Sequence, residues 1–148
     1  AEGAQYMRFR LTLLLVTCWA TVAFCQEIEV RRGGSSWARI ERDGTIRIDG
    51  SSKGRVESDG TVRRDGSSVG RVESDGTIRR NGSSIGRLEQ DGTLRLNGSS
   101  IGRIESDGTI RRDGSSWGSA RPCSGFDDMR RVAALLYFFG QSSDFLSR

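Results

Sequence analysis

The hydrophobic and polar positions of this chain repeat every sixteen residues. Three apolar positions recur among Ser, Arg and Asp in each of six consecutive units, and such repetition predicts a repeat architecture. The three rows are Val30, Ile46, Val62, Ile78, Leu94 and Ile110; Trp37, Lys53, Val69, Ile85, Ile101 and Trp117; and Ile40, Val56, Val72, Leu88, Ile104 and Ala120. Only Lys53 in these rows is not apolar, so the pattern predicts a sheet with one apolar face.

Two turn signals divide each unit into a pair of short strands. Asp-Gly or Asn-Gly, as at Asp65-Gly66, favours a two-residue type I′ hairpin. A three-residue stretch that ends in glycine, as at 58–60, suits a type I turn closed by a residue in the left-handed region. Six units therefore predict twelve short antiparallel strands.

The register of the strands follows from the residues that each turn brings together. We expect Val62 opposite Val69 and Val72 opposite Ile78, which pairs apolar residues with apolar residues. Val69 and Val72 are three residues apart, so plain alternation would place them on opposite faces. A β-bulge at Gly70 adds one residue and returns both side chains to one face.

The sheet is expected to close on itself. An open twelve-stranded sheet would expose two unpaired edges and an apolar face, which favours a closed antiparallel meander barrel. The strands are shorter than the about 9–11 residues that a membrane-spanning strand needs. The array runs from Glu27 to Pro122, within a barrel domain of residues 24–122. A β-solenoid is the alternative, because repeats of this size also build solenoids.

The segment after the repeats has the features of a buried helix. Ser124 begins a capping pattern, and Asp127 and Asp128 suit the positive end of the helix dipole. Residues 132–139 are apolar all round, and Gly140 is a typical C-terminal cap. We expect an apolar helix within residues 123–140 to plug the wide lumen of a twelve-stranded barrel, followed by a tail of residues 141–148.

The beginning of the chain has the pattern of an export signal. Met7 is followed by Arg8, Arg10 and an apolar stretch to residue 24, as in secretory signal peptides. We expect residues 1–23 to comprise an N-terminal extension and a signal peptide, with cleavage after residue 23 or 25, and a secreted, periplasmic or cell-envelope location. If Cys25 is retained, it can form a disulfide with Cys123; cleavage after residue 25 would leave Cys123 as a lone thiol.

Composition narrows the classes of function. The chain has no His, which removes the commonest general base and metal ligand. Ser and Arg recur in every unit and Asp in five of the six, so these residues serve the repeat, and we predict no enzyme activity, no catalytic residue, no metal and no cofactor. The net charge of +4 is spread over a mixed surface without a basic and aromatic cluster, so no nucleic-acid partner is expected. The sequence leaves the oligomeric state open.

Arginines and two tryptophans are the candidate binding residues. Two outward rows lie beside glutamates, where ion pairing is favoured over recognition of phosphate or sulfate. These rows are Arg31, Arg47, Arg63, Arg79, Arg95 and Arg111, and Arg39, Arg55, Arg71, Arg87 and Arg103. Four arginines beside the Asp/Asn-Gly turns lie on the same strand face as the inward residues, which predicts a rim that binds an anionic lipid or membrane surface. They are Arg32, Arg64, Arg80 and Arg112. Trp37 and Trp117, in the first and last units, suit sugar stacking or, preferably, packing where the ring closes.

These residues resemble two known groups of proteins. Short repeats punctuated by Asp-Gly after a signal peptide resemble the bacterial β-flower proteins, a repeat family without established function, which implies a shallow β-barrel. Twelve antiparallel strands around an apolar C-terminal helix are also similar to the Tubby C-terminal domain, whose architecture phospholipid scramblases share. We expect an exported, non-enzymatic binding or interaction module of the bacterial cell envelope. The alternative is a structural or self-assembling envelope protein with no small ligand.

Overall fold

Twelve short strands form a closed antiparallel barrel around one helix. The computed structural model describes residues 26–140 and 144–146; the predicted signal peptide with its cleavage sites, Cys25 and most of the tail lie outside these ranges. The strands are β1 (Ile28–Arg32), β2 (Ser35–Ile40), β3 (Thr45–Ile48), β4 (Ser51–Val56), β5 (Thr61–Arg64), β6 (Ser67–Val72), β7 (Thr77–Arg80), β8 (Ser83–Leu88), β9 (Thr93–Leu96), β10 (Ser99–Ile104), β11 (Thr109–Arg112) and β12 (Ser115–Arg121). The helix α1 spans Phe126–Phe138.

The ring closes between its first and last strands. Strand β1 pairs with β12, where Val30 lies opposite Ala120, and every other strand pairs with its neighbours in the chain. Every pairing is antiparallel, which confirms the closed meander barrel. The solenoid alternative was wrong because each turn returns the chain beside the strand it has just left.

Both predicted kinds of turn are present. Asp65 and Gly66 have φ angles of 50° and 77°, the two positive values that a type I′ turn requires. At the opposite end of the hairpins, Gly60 has φ of 90° and donates its N–H to the carbonyl of Glu57 at 2.9 Å. We call the two ends of the barrel the type I′ end and the three-residue-turn end.

The predicted register was correct at one turn and one residue out at the other. Val72 lies opposite Ile78, as expected. Val62, however, lies opposite Gly70 rather than Val69, and the register shifts between Val62 and Arg63. Val69 is thus the extra residue of the bulge, which leaves Gly70 facing Val62 across the ladder.

The apolar rows fill the barrel unequally. The row that contains Val62 and the row that contains Val72 are buried throughout. In the bulge row, Trp37 and Ile101 are buried, and Val69, Ile85 and Trp117 are partly buried against the core. Lys53 is exposed. Burial therefore decreases at the bulge positions, which lie closer to the type I′ end.

The helix lies inside the ring, and its ends differ by one residue from the prediction. Its N-cap is Gly125, not Ser124, whose N–H and hydroxyl instead donate to the Asp128 carboxylate. Its C-cap is Phe139, one residue before Gly140. Residues 131–140 are all buried, which confirms the apolar central helix. In the described ranges, no helix is both long and apolar enough to cross a membrane.

Glycines of the bulges make room for the aromatic end of the helix. A Cβ added to Gly86 would lie 2.8 Å from the Tyr137 ring, and one added to Gly54 would lie 2.6 Å from the Phe139 ring. Phe138 packs against Gly70 in the same way. Because glycine has no Cβ, strands β4, β6 and β8 can approach three consecutive aromatic residues.

Candidate functional site

Two of the predicted rim arginines lie over the C-terminal end of the helix. Arg80 donates to the carbonyl of Tyr137 at 2.8 Å, and its guanidinium lies 5.3 Å from the centre of the Phe138 ring. Arg64 lies 6.0 Å from the centre of the Phe139 ring. The final carbonyls of a helix lack partners inside it and attract cations. These two side chains therefore stabilise the helix terminus as well as line the rim.

The other two rim arginines contact the segment beyond the helix. Arg32 forms an ion pair with Asp144 at 3.2 Å and lies 5.8 Å from the centre of the Trp117 ring. Arg112 donates to the Asp144 carbonyl and lies 3.7 Å from the Asp113 carboxylate. Their charges are thus partly balanced by carboxylates, which separates them from Arg64 and Arg80.

The two tryptophans meet where the ring closes. The Trp37 and Trp117 rings are 5.7 Å apart and perpendicular, and Trp117 also meets Phe145 edge-on at 5.1 Å. Strands β2 and β12 are both neighbours of β1, so the barrel brings together residues that are eighty positions apart. This T-shaped geometry is a favourable one for aromatic packing.

Three basic residues at the type I′ end have no ion pair. Lys53, Arg64 and Arg80 lie on β4, β5 and β7, and none of them forms an ion pair within the part of the chain that the structure describes. We call them the cationic sector. Sequence reasoning missed the role of Lys53, although its replacement of an apolar residue in the bulge row was a visible signal.

The first of the two outward arginine rows has paired charges. Arg47, Arg63 and their equivalents bind glutamates of the preceding strand connection at 2.6–2.9 Å. In the second row, Arg55 donates to the Asp43 carbonyl and Arg39 pairs with Glu27. The predicted ion pairing is therefore present in the first row, whereas in the second row only Arg39 forms an ion pair within the described residues. Each exposed pair contributes little to stability.

The turn aspartates are held as anions by the backbone. The Thr61 N–H donates to the Asp59 carboxylate at 2.9 Å, and this bond is the main cause that lowers the pKa of Asp59 below its usual value. The same bond recurs at Asp43, Asp75, Asp91 and Asp107. These carboxylates therefore stabilise the turns by accepting backbone N–H groups.

Two arginines anchor the N-terminal end of the helix. Arg130 donates to the carbonyls of Val72 and Glu73 at 2.7 and 2.9 Å. Arg131 donates to the carbonyls of Gln26 and Glu41, and only 10% of its side chain is exposed. Sequence reasoning treated this end only as a cap, because the carbonyls that receive the guanidiniums come from distant turns.

A cavity of about 320 Å³ opens beside these two arginines at the three-residue-turn end. Val56 and Val72 supply apolar surface, and Arg42 lies at the same cavity. Such a volume is at the lower end of the range for small-molecule sites. The sequence signal for this site is Arg42, which stands where the four following units have Ser or Gln.

Cys123 is half-buried just after the last strand. Burial, with a smaller contribution from the Asp128 charge, raises the pKa of its thiol to about 11. It forms no disulfide with another described residue, and the predicted partner Cys25 lies outside the described ranges. A thiol with a raised pKa is a weak nucleophile at neutral pH.

No cluster of three His, Cys, Asp or Glu residues that could hold a metal occurs in residues 26–140 and 144–146. Comparison with protein-family models, curated proteins and solved structures finds no match to this chain. The charges and cavities at the two ends of the barrel are therefore the basis for inferring function.

Proposed function

We propose that this protein is an exported, non-enzymatic interaction module of the bacterial cell envelope that contacts anionic lipid headgroups. The observation that carries this proposal is the cationic sector of Lys53, Arg64 and Arg80. The arginines of this sector are held by neutral partners, namely a helix carbonyl and two aromatic faces. Their positive charge is therefore available to an anionic surface.

The contrast with the first outward row of arginines supports this choice. In that row, arginines such as Arg47 and Arg63 are each matched by a glutamate. Next to Arg80, the type I′ turn begins with Asn81, whereas the turns next to Lys53 and Arg64 begin with Asp49 and Asp65. The absence of a carboxylate at the Asn81 turn leaves the Arg80 side of the sector more basic.

Export and family membership are parts of the same proposal. The basic and apolar pattern of residues 8–24 supports export. The repeats and the closed ring of short strands support membership of the β-flower group, and the central helix supports an architectural likeness to Tubby C-terminal domains and phospholipid scramblases. Among these features, the closed twelve-strand barrel with one helix is the part that the structure establishes.

A structural role in the envelope is the second candidate. It is favoured because the helix fills the lumen and because Arg32 and Arg112 are turned to Asp144 rather than left open to a ligand. In this role the barrel would assemble with copies of itself. Sedimentation velocity over a hundredfold range of concentration would show oligomers that form without any lipid.

Co-sedimentation with vesicles tests the lipid proposal. The protein is mixed with phosphatidylglycerol or phosphatidylcholine vesicles at low and high salt. We expect binding to the anionic vesicles only, with loss at high salt, because headgroup attraction is screened. The double variant Lys53→Gln/Arg64→Gln should bind about thirtyfold more weakly, which corresponds to roughly 1 kcal/mol per charge near the surface.

The matched control is Arg55→Gln/Arg71→Gln, which removes the same charge from the outer face. We expect it to bind nearly as well as the unaltered protein. Equal weakening in both variants would show that net charge, not the cationic sector, determines binding. Salt-resistant binding to both kinds of vesicle would contradict the proposal and indicate insertion of the helix instead.

A further inference from the structure

The cavity at the three-residue-turn end has an unusual balance of charge. Three arginines and three acidic residues line it, but one of the acids is paired with an arginine outside the cavity. Glu57 binds Arg63 at 2.7 Å, whereas the Asp43 carboxylate accepts the N–H of Thr45 at 2.9 Å and remains an anion. The third acid, Asp127, pairs with Arg130 at 3.2 Å but is 92% exposed, so water screens this pair.

The arginines that line the cavity have mostly neutral partners. Arg130 donates to two backbone carbonyls as well as to Asp127, and Arg131 donates to two backbone carbonyls and lies 4.0 Å from the Asp128 carboxylate. Arg42 forms no ion pair within the described residues. Carbonyl oxygens orient a guanidinium without cancelling its charge, so three guanidiniums face the two carboxylates of Asp43 and Asp127, and the cavity keeps a small excess of positive charge.

Comparison between the repeats shows that Arg42 is an exception. At the first position of the three-residue turn, the following units carry Ser58, Ser74, Gln90 and Ser106. The fold needs no arginine there, because these four turns form the same backbone hydrogen bonds without one. The one turn that carries a guanidinium is therefore a turn that borders the cavity.

The helix leaves the space beside the first two three-residue turns open and fills the space beside the next turn. The Phe126 ring lies 3.2 Å from where a Cβ on Gly76 would be, so it closes the space at that turn. At the first two turns, Val56 and Val72 border the cavity instead. The cavity thus combines apolar walls with guanidinium groups, and this combination suits a ligand with an anionic head and a short apolar chain.

We propose that this cavity is a binding site for a small anionic amphiphile, a phosphate monoester or carboxylate with a short alkyl chain. Arg42 binds the anionic head together with the guanidiniums of Arg130 and Arg131, and the alkyl chain lies against Val56 and Val72. The site lies at the opposite end of the barrel from the cationic sector, so it does not depend on the proposed contact with membranes.

Isothermal titration of the purified chain with octyl phosphate, below its critical micelle concentration, tests this site. Octanoate, octanol and inorganic phosphate are titrated in parallel. We expect saturable binding of octyl phosphate and octanoate with one ligand per chain, and at least tenfold weaker binding of octanol and of inorganic phosphate. Binding should shift the backbone amide NMR signals of Gly44 and Gly60 rather than those of the type I′ turns.

Variants taken from the repeat itself sharpen the test. Arg42→Ser restores the residue of the other units and should weaken octyl phosphate binding at least tenfold. Arg103→Ser removes the same charge from the outer face and should leave binding unchanged, as should Lys53→Gln/Arg64→Gln. Absence of saturable binding, equal affinity for octanol, equal affinity for inorganic phosphate, or an unchanged affinity in Arg42→Ser would each overturn the proposal.

Discussion

The two ends of the central helix are held in the same barrel by different chemistry. At the type I′ end, Tyr137, Phe138 and Phe139 press their rings against glycines of the strand bulges. At the three-residue-turn end, Arg130 and Arg131 donate hydrogen bonds to strand-end carbonyls. One end therefore depends on close packing and the other on polar contacts.

This difference shows how a repeated wall can be used in two ways. Five of the six units offer a glycine at the bulge, where the first unit has Ala38, and turn carbonyls lie at the other end of the strands. The helix sequence selects between them, with aromatic residues at its end and arginines near its beginning. Two residues depart from the repeat. Lys53 adds a positive charge on one side of the type I′ end, and Arg42 adds one on one side of the three-residue-turn end.

The largest expected effect is at the packed end. In Gly70→Ala, the added Cβ would overlap both the Phe138 ring and the Arg79 carbonyl. We expect a loss of about 3 kcal/mol in the free energy of unfolding, measured by urea denaturation. Gly102→Ala is the matched control, because the atoms nearest to its added Cβ are backbone atoms of Arg111 and Arg112 rather than a ring of the helix. Equal losses in both variants would show that the aromatic contact does not matter.

The polar end should respond less strongly. Arg131→Ala removes the donor to the Gln26 carbonyl and a buried side chain. We expect a loss of about 2 kcal/mol in urea denaturation, because a polar group at the barrel end loses its partner. Arg71→Ala, on the exposed outer face, should change stability by less than about 0.5 kcal/mol. An Arg131→Ala variant as stable as Arg71→Ala would contradict the anchoring role.

A polar contact within the packed end should contribute less still. The Tyr137 hydroxyl donates to the Arg95 carbonyl, and burial raises the pKa of this hydroxyl well above its usual value. Tyr137→Phe keeps the ring and removes the hydrogen bond, so we expect a loss of about 1 kcal/mol with an unchanged denaturant slope. A loss as large as that of Gly70→Ala would mean that this end is not held mainly by packing.

The smallest effect is expected in the turns. Bonds such as that from the Thr61 N–H lower the pKa of five turn aspartates in the folded chain relative to the ordinary value of 3.8. Their contribution is therefore present above that value and lost as the pH falls below it. Asp59→Asn keeps an acceptor oxygen but does not titrate, so the decrease in Tm between pH 4 and pH 2 should become slightly shallower. A steeper decrease in the variant would contradict the sign of the pKa shift.

Most of the fold could be predicted from the chain because the repeat encodes it locally. Asp-Gly and Asn-Gly specify the hairpins, and the apolar rows specify the inner face. The register error at Val69 arose because a bulge can be placed on either of two adjacent residues without changing the apolar face. The helix ends were one residue out because local capping patterns compete with the contacts that Ser124 and Phe139 make in the folded chain.

The candidate sites were only partly predictable. Arg32, Arg64, Arg80 and Arg112 were identified as a rim by parity, but parity does not show that the first and last turn to Asp144. The cavity at Arg42 was not predicted, because it forms between two turns and the helix. The helix residues that line it follow these turns by about seventy residues or more.

By itself, the sequence determined the number of strands, their turns and the inner face, because each follows from contacts within one repeat or between adjacent repeats. The closure of the ring, which pairs β1 with β12, was predicted from the cost of leaving two edges and an apolar face exposed. Only the tertiary structure decided how the helix is oriented in the lumen, which arginines keep an unbalanced charge and where a cavity is left. The physical reason is that near-identical repeats offer the helix near-identical walls. The partner of each side chain is therefore fixed by packing across the barrel rather than by neighbours in the chain.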